Sequence, residues 1–241
     1  MIHWLFKCIG CKQSLNELGA FPLCSICQDS LVPCPPLCKH CGSPICPTHL
    51  NEQCLRPWND TSLIQSYSAR YILLGHGYAV LKRWKLHRGS IFDRRILKSD
   101  PEHFVKWIDL GIEAIVPIPQ RFSRSWQMRG SRSLKIAEWI SSETKLPILQ
   151  LLLSTPRVAS IKRQAELSLK ERLENPIRFE PNLELSKNIQ LPSNILLIDD
   201  FFTTGHTLRQ AAQALKSLSG SQIHVFCLGL RPALANTRAK I

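Results

Sequence analysis

The chain has 241 residues, of which 44% are hydrophobic and 20% charged, and its formal net charge is +13. This composition suits a chain with a packed core and excludes a disordered or low-complexity one, and the length accommodates one or two domains. No apolar run approaches the roughly 18 residues of a membrane helix. The opening MIHWLFKC is too short in apolar residues for a secretory signal, so a cytoplasmic location is expected.

Cysteine and charge are both unevenly spread. Nine of the ten cysteines fall between Cys8 and Cys54, and Cys227 stands apart. Residues 1–60 are charge-balanced, whereas residues 61–192 carry a net +10 and residues 193–241 a net +3. The positive field therefore belongs to the part that follows the cysteines, and it calls for an anionic partner.

The cysteines come as Cys8-x2-Cys11, Cys24-x2-Cys27 and Cys38-x2-Cys41, with Cys46 and Cys54 trailing and Cys34 unpaired. A CxxC turn aims two thiolates at one centre, and two such turns close a tetrahedron. Cys8, Cys11, Cys24 and Cys27 are therefore assigned to one zinc ion. Cys38 and Cys41 could form a second site with Cys54 and either Cys46 or His49. Redox pairs or small core residues are the alternatives. A segment of some 50 residues so poor in large apolar groups cannot support a core unaided, and structural zinc would hold it together. The loop-like Arg56–Asp60 marks the boundary, giving a cysteine-rich module over 1–60 and a second domain over 61–241.

Beyond the boundary the chain reads as alternating helices and strands. Tyr78–Leu86 is expected to be helical, with Lys82, Arg83 and Lys85 on it and Arg88 just after. Ala114–Ile118 is a short apolar strand, followed by Arg121, Arg124 and Arg129. Leu134–Ser141 is an amphipathic helix, and Leu146–Leu152 is another apolar segment. Ile195–Ile198 reads as a buried strand that precedes Asp199, Asp200 and a turn. Leu208, Ala211, Ala212, Leu215 and Leu218 recur at helical spacing within Thr207–Leu218, and Ile223–Leu230 is a final strand. Strand, helix, strand implies an α/β fold with a parallel sheet and right-handed crossovers.

The most informative segment is Ile195–Thr207, ILLIDDFFTTGHT. A buried strand meets two acids, then a hydroxyl-rich turn, then a helix. Backbone amides and hydroxyls at a helix N-terminus suit a phosphate. Gly205 permits a turn that a side chain would obstruct. Carboxylates at the carboxyl end of a sheet strand can accept from sugar hydroxyls or hold a divalent cation.

This string resembles the phosphoribosyl pyrophosphate (PRPP) signature of type I phosphoribosyltransferases: four apolar residues, two acids, two variable residues, then TTGxT. The resemblance implies that Asp199 and Asp200 contact ribose hydroxyls. It also implies that Thr203, Thr204, Gly205, His206 and Thr207 wrap the 5′-phosphate, with magnesium accompanying PRPP. His206, at the variable position, is read as a neighbour of the phosphate and not as a base.

The whole chain is similar to the ComF (ComFC) family of competence-associated proteins, which join a zinc module to a phosphoribosyltransferase-like parallel sheet flanked by helices. The likeness is carried by the CxxC pairs, by Val80–Gly89, by Val116-Pro117-Ile118-Pro119 with Arg121, Arg124 and Arg129-Gly130, and by Arg163–Asn175. Ser131-Arg132-Ser133 stand where that family carries aromatic–Asn–Gln, in a stretch expected to be a loop near the active site.

The resemblance implies an accessory role in DNA uptake, with single-stranded DNA and other uptake proteins as partners. Lys82, Lys85, Arg121, Arg124 and Arg129 are candidates for pyrophosphate or nucleic-acid contact. Trp84, Trp107, Trp126 and Phe122 could stack on bases or could be core, with Trp107 and Trp139 read as core. An active phosphoribosyltransferase acting on an unidentified nitrogen acceptor, or a PRPP-sensing regulator, are the alternatives.

Overall fold

The computed structural model describes residues 7–15, 23–39, 42, 44, 63–86, 93, 96–97, 101–119, 131–154, 179–218 and 220–231. Its strands are β1 (Ser66–Ile72), β2 (Ala114–Pro117), β3 (Leu152–Ser154), β4 (Phe179–Pro181), β5 (Asn194–Phe202) and β6 (Gln222–Leu230). Its helices are α1 (Ser25–Asp29), α2 (Gly75–Leu86), α3 (Pro101–Asp109), α4 (Arg132–Thr144), α5 (Leu183–Lys187) and α6 (His206–Lys216).

Four strands form a parallel sheet in the order β1-β6-β5-β2. A single parallel bridge from Ile148 to Ile115 extends it past β2. The central pair consists of the two apolar runs expected to be strands. Continuous apolar sequence, rather than alternation, is what a parallel strand covered on both faces requires. Leu196 and Ile198 of β5 and Phe226 and Leu228 of β6 enter one core with Trp84 of α2, Trp107 of α3 and Ile140 of α4. Ile195, Leu197, Ile223 and Val225 point to the other face, against Leu208, Ala211 and Leu215 of α6. The fold is thus an α/β parallel sheet flanked by helices, as expected.

α6 follows from its spacing: Leu208, Ala211, Ala212 and Leu215 are all buried on the sheet, and the alanines let the helix approach closely. α4 is longer than the expected Leu134–Ser141 and ends in a left-handed residue, Lys145 (φ 62°), whose N–H returns to the Ser141 carbonyl. Leu146–Leu152 divides into a stretch beside β2, where Leu149 donates to the Ile115 carbonyl, and the start of the antiparallel β3–β4 pair.

β5 does not end at Ile198. It continues through both acids to Phe202, because β6 is long enough to keep pairing: Asp199 lies opposite Cys227 and Phe202 opposite Leu230. α3 was not anticipated, although Pro101 at its first position, Glu102 in its first turn and the buried Trp107 mark an amphipathic helix. The short α1 of the cysteine segment packs against α2. A Cβ on Gly10 would fall 2.6 Å from Cys27 Sγ and 3.0 Å from Val80, so this packing has no room for a side chain.

Candidate functional site

β2 and β5 are neighbours, but the helices that follow them lie on opposite faces of the sheet, α4 in the first core and α6 in the second. Neighbouring parallel strands whose following helices pack on opposite faces define a topological switch point at their carboxyl ends. That is the position at which open α/β sheets bind ligands. Asp199 and Asp200 stand at this end of β5.

The two carboxylates are held locally. Asp199 Oδ1 accepts from the Asp200 N–H at 2.8 Å, and Asp200 Oδ1 accepts from the Phe201 N–H at 2.7 Å. Asp200 is buried and Asp199 half-buried. Burial, then the charge of Asp200, push the Asp199 carboxyl up to about 8, against the opposing pull of the Asp200 N–H and Lys85. Asp200 Oδ2 meets Lys85 Nζ at 2.5 Å, and the same ammonium lies 5.1 Å from the Phe201 ring centroid.

The turn comes next. Thr203 and Thr204 are exposed, Gly205 is buried, His206 is exposed and Thr207 half-buried. Gly205 caps α6 at φ 72°, a conformation that favours glycine, and no side chain caps the helix. Its first-turn amides thus have no side-chain acceptor at the cap, and the positive end of the helix dipole lies beside the acids. This arrangement can take an anion at the helix and hydroxyls or a cation at the strand end.

Of the two α2 lysines, Lys85 reaches the acidic pair, whereas Lys82 is exposed with its Nζ 6.0 Å from the Tyr78 ring centroid. Arg121, Arg124 and Arg129 lie outside the described residues, as do Arg88, Phe122, Trp126 and the Arg163–Asn175 run.

Among the tryptophans, the alternatives left open for Trp84 resolve to the core, and the reading of Trp139 is corrected. Trp84 is fully buried, and its Nε1 donates to Asp93 Oδ1 at 2.9 Å. It cannot stack on a base. Trp107 is core, as the alternative held, at 1% exposure, while Trp139 is only half-buried.

Ser131-Arg132-Ser133 are not in a loop but start α4. Ser131 is the N-cap and accepts from Leu134 N–H, and Ser133 Oγ donates to the Ile118 carbonyl at 2.5 Å. Arg132 is buried against the Trp84 ring, pairs with Asp93 at 3.3 Å and donates from Nε to the Lys85 carbonyl at 3.1 Å. Lys135 Nζ reaches the same Asp93 at 2.6 Å. Asp93 went unnoticed in the sequence because its three partners are 9, 39 and 42 residues away. The three-residue spacing of Arg132 and Lys135 on one helical face was the available signal.

The metal expectation divides. One sulfur of each of Cys8, Cys11, Cys24 and Cys27 lies within 4.8 Å of all the others, and Cys11 and Cys24 Sγ are 3.7 Å apart. Tetrahedral zinc with bonds of about 2.3 Å spaces its sulfurs by about 3.8 Å, so the group could hold zinc. Cys8 Sγ accepts from the N–H groups of Cys24 (3.3 Å) and Cys11 (3.5 Å). Burial raises the Cys8 thiol, but these donors outweigh it and bring it down to about 7, favouring the thiolate that a metal needs. Of the expected second site only Cys38 is described; Cys41, Cys46, Cys54 and His49 lie outside the described residues. Cys34 is raised by burial to about 11, and Cys227 is buried and raised well above the usual range.

No family model matches the chain. The chain is similar to Competence protein F of Haemophilus influenzae, at 28% identity over 233 residues, covering 92% of this chain and 96% of that protein. It is also similar to DNA utilization protein YhgH of Escherichia coli, at 23% identity in both strains O157:H7 and K12, covering 92% of this chain and 95% of the relative. These similarities support a ComF-family protein. No helix among the described residues is long and apolar enough to cross a membrane.

Proposed function

We propose that this chain is a ComF-type protein of DNA uptake that handles DNA in the cytoplasm and binds PRPP at the carboxyl end of β5. The observation that carries the reading is the coincidence of three features. Paired acids, a turn at a positive-φ glycine and a helix start with no side-chain cap stand together at the switch point of a parallel sheet. The full-length similarity to relatives named for competence and DNA utilization supports the DNA side.

In this reading Asp199 and Asp200 receive ribose hydroxyls, directly or through magnesium. The Thr203–Thr207 turn holds the 5′-phosphate with backbone amides, hydroxyls and the helix dipole. Residues 1–60 form a zinc-holding module built on Cys8, Cys11, Cys24 and Cys27, with a second zinc on Cys38, Cys41, Cys46 and Cys54. Zinc closed in by four thiolates has no open position, so its role is structural. A reducing cytoplasm keeps such thiols available to metal. The excess positive charge of residues 61–241 supplies a sequence-independent hold on nucleic-acid phosphates, with Lys82 of α2, Arg121, Arg124 and Arg129 among its members.

Fluorescence anisotropy with a labelled single strand tests the DNA side. The expected result is an affinity that ignores sequence and falls steeply with salt, with the log–log slope reduced by about one in Lys82→Ala. An affinity insensitive to salt would contradict it.

A further inference from the structure

A bare acidic strand end would be open to any cation, and this one is not bare. Lys85 Nζ lies 2.5 Å from Asp200 Oδ2. The contact comes from a fixed piece of backbone. The Lys85 carbonyl accepts from Nε of Arg132, which is only 3% exposed and is itself held by Asp93 and the Trp84 ring. The end of α2 is thereby locked to the start of α4, and the ammonium reaches the acids from that fixed point on a flexible stem. Its own side chain remains 42% exposed, which leaves the tip room to leave Asp200.

We propose that Lys85 is a tethered cation of the acidic pair, occupying on Asp200 the place that an incoming divalent cation or sugar hydroxyl must take, so that ligand enters this site by exchange. On release the ammonium is free to follow the negative charge of the ligand. One lysine thus serves the carboxylates in the free protein and the ligand's phosphate in the complex. Naming that ligand a phosphoribosyl compound rests on the function proposed above; the competition with a divalent cation does not.

The physical basis is simple competition. An ammonium in contact with Asp200 lowers the negative potential that a divalent cation would feel, and its tether holds it there at high effective concentration. Mn2+ alone is therefore the probe, titrated into the zinc-loaded full chain and read by the electron paramagnetic resonance of free Mn2+. Zinc already on the thiolates keeps the hard cation from that site.

Lys85→Met is expected to bind Mn2+ at least about tenfold more tightly than the unchanged protein, while Lys85→Arg stays weak, because a guanidinium still covers Asp200. Adding Asp200→Asn to Lys85→Met abolishes the gain. Thermal melting and zinc content confirm that each variant is folded. Equal Mn2+ affinity in Lys85→Met and the unchanged protein, including no binding by either, would overturn the proposal, as would a gain that survives Asp200→Asn. Failure of the protein to bind PRPP would instead count against the proposed function and leave the Mn2+ result to decide this point.

Discussion

Cys34 donates its backbone N–H to the Arg70 carbonyl at 2.8 Å, so the cysteine-rich segment is bonded to the outer edge of the sheet. Ile72 returns a bond to the Val32 carbonyl at 3.0 Å, and Pro33 bridges Tyr71 antiparallel to β1. An edge strand offers unpaired backbone groups, and here they are used by the chain's own N-terminal part. Arg83 of α2 also donates to the Gly10 carbonyl, next to the four-cysteine group.

Zinc removal is therefore expected to weaken more than the cysteine segment. Cys27→Ser should lose one zinc equivalent and lower the melting temperature. Hydrogen exchange should quicken in β1 and α2 as well as around Cys8–Cys27. Metal analysis, calorimetry and exchange mass spectrometry check this. Cys227→Ala, in β6, should keep its zinc.

Gly205 tests the turn. At φ 72° an alanine costs about 1–2 kcal/mol, so Gly205→Ala should shift the urea midpoint downward and weaken PRPP binding. Gly220, with nothing within 4 Å of an added Cβ and no positive φ, is the control. Gly220→Ala should stay within about 0.5 kcal/mol of the unchanged protein.

Two groups give stability opposite slopes with pH. His224 is buried, with Nδ1 2.8 Å from Ser66 Oγ. Burial, then the charge of Lys106, hold its pKa below the usual value. The unfolded chain takes up that proton first, so this contribution is intact above about pH 6.5 and is lost as the pH falls below it. His224→Gln should flatten the acid-side slope in urea titrations.

Asp199 works the other way. Its carboxyl is raised from an ordinary 3.8 to about 8, so the folded state holds a proton that the unfolded chain has released. Its contribution is full below about pH 4 and is lost as the pH rises through about 8. Asp199→Asn should remove that decline and leave the His224 slope in place.

Trp84 separates stacking from packing. Trp84→Phe should lower stability, because it strips Asp93 of a donor and thins the core. It should leave single-strand affinity unchanged at equal folded fraction, as judged by anisotropy beside the melting curve.

The sheet centre was readable because Ile195–Ile198 and Ile223–Leu230 are continuous apolar runs, and α6 because its alanines and leucines keep a strict period. β1 was harder. Ser66, Ser68 and Arg70 interrupt its apolar pattern, and their places are set by long-range partners: His224 for Ser66 and the Val225 carbonyl for Ser68. The extent of β5 depended on the length of β6, which no local pattern reports. At the site, Asp199, Asp200 and the turn were legible as a motif. The Lys85–Asp200 pair and the Asp93 cluster were not, because they join elements far apart in the chain. Basic neighbours left Trp84 open between base stacking and the core, and its indole N–H is satisfied by the half-buried Asp93 carboxylate.

The PRPP site proposed at the β5 end and the turn is open to a direct test. Calorimetric titration of zinc-loaded protein with magnesium–PRPP, beside the Asp199→Asn/Asp200→Asn double variant, tests it most directly. Saturable one-site binding by the unchanged protein and loss of that binding in the folded double variant are expected. No heat of binding from well-folded, zinc-loaded protein, or equal binding by the double variant, would contradict it.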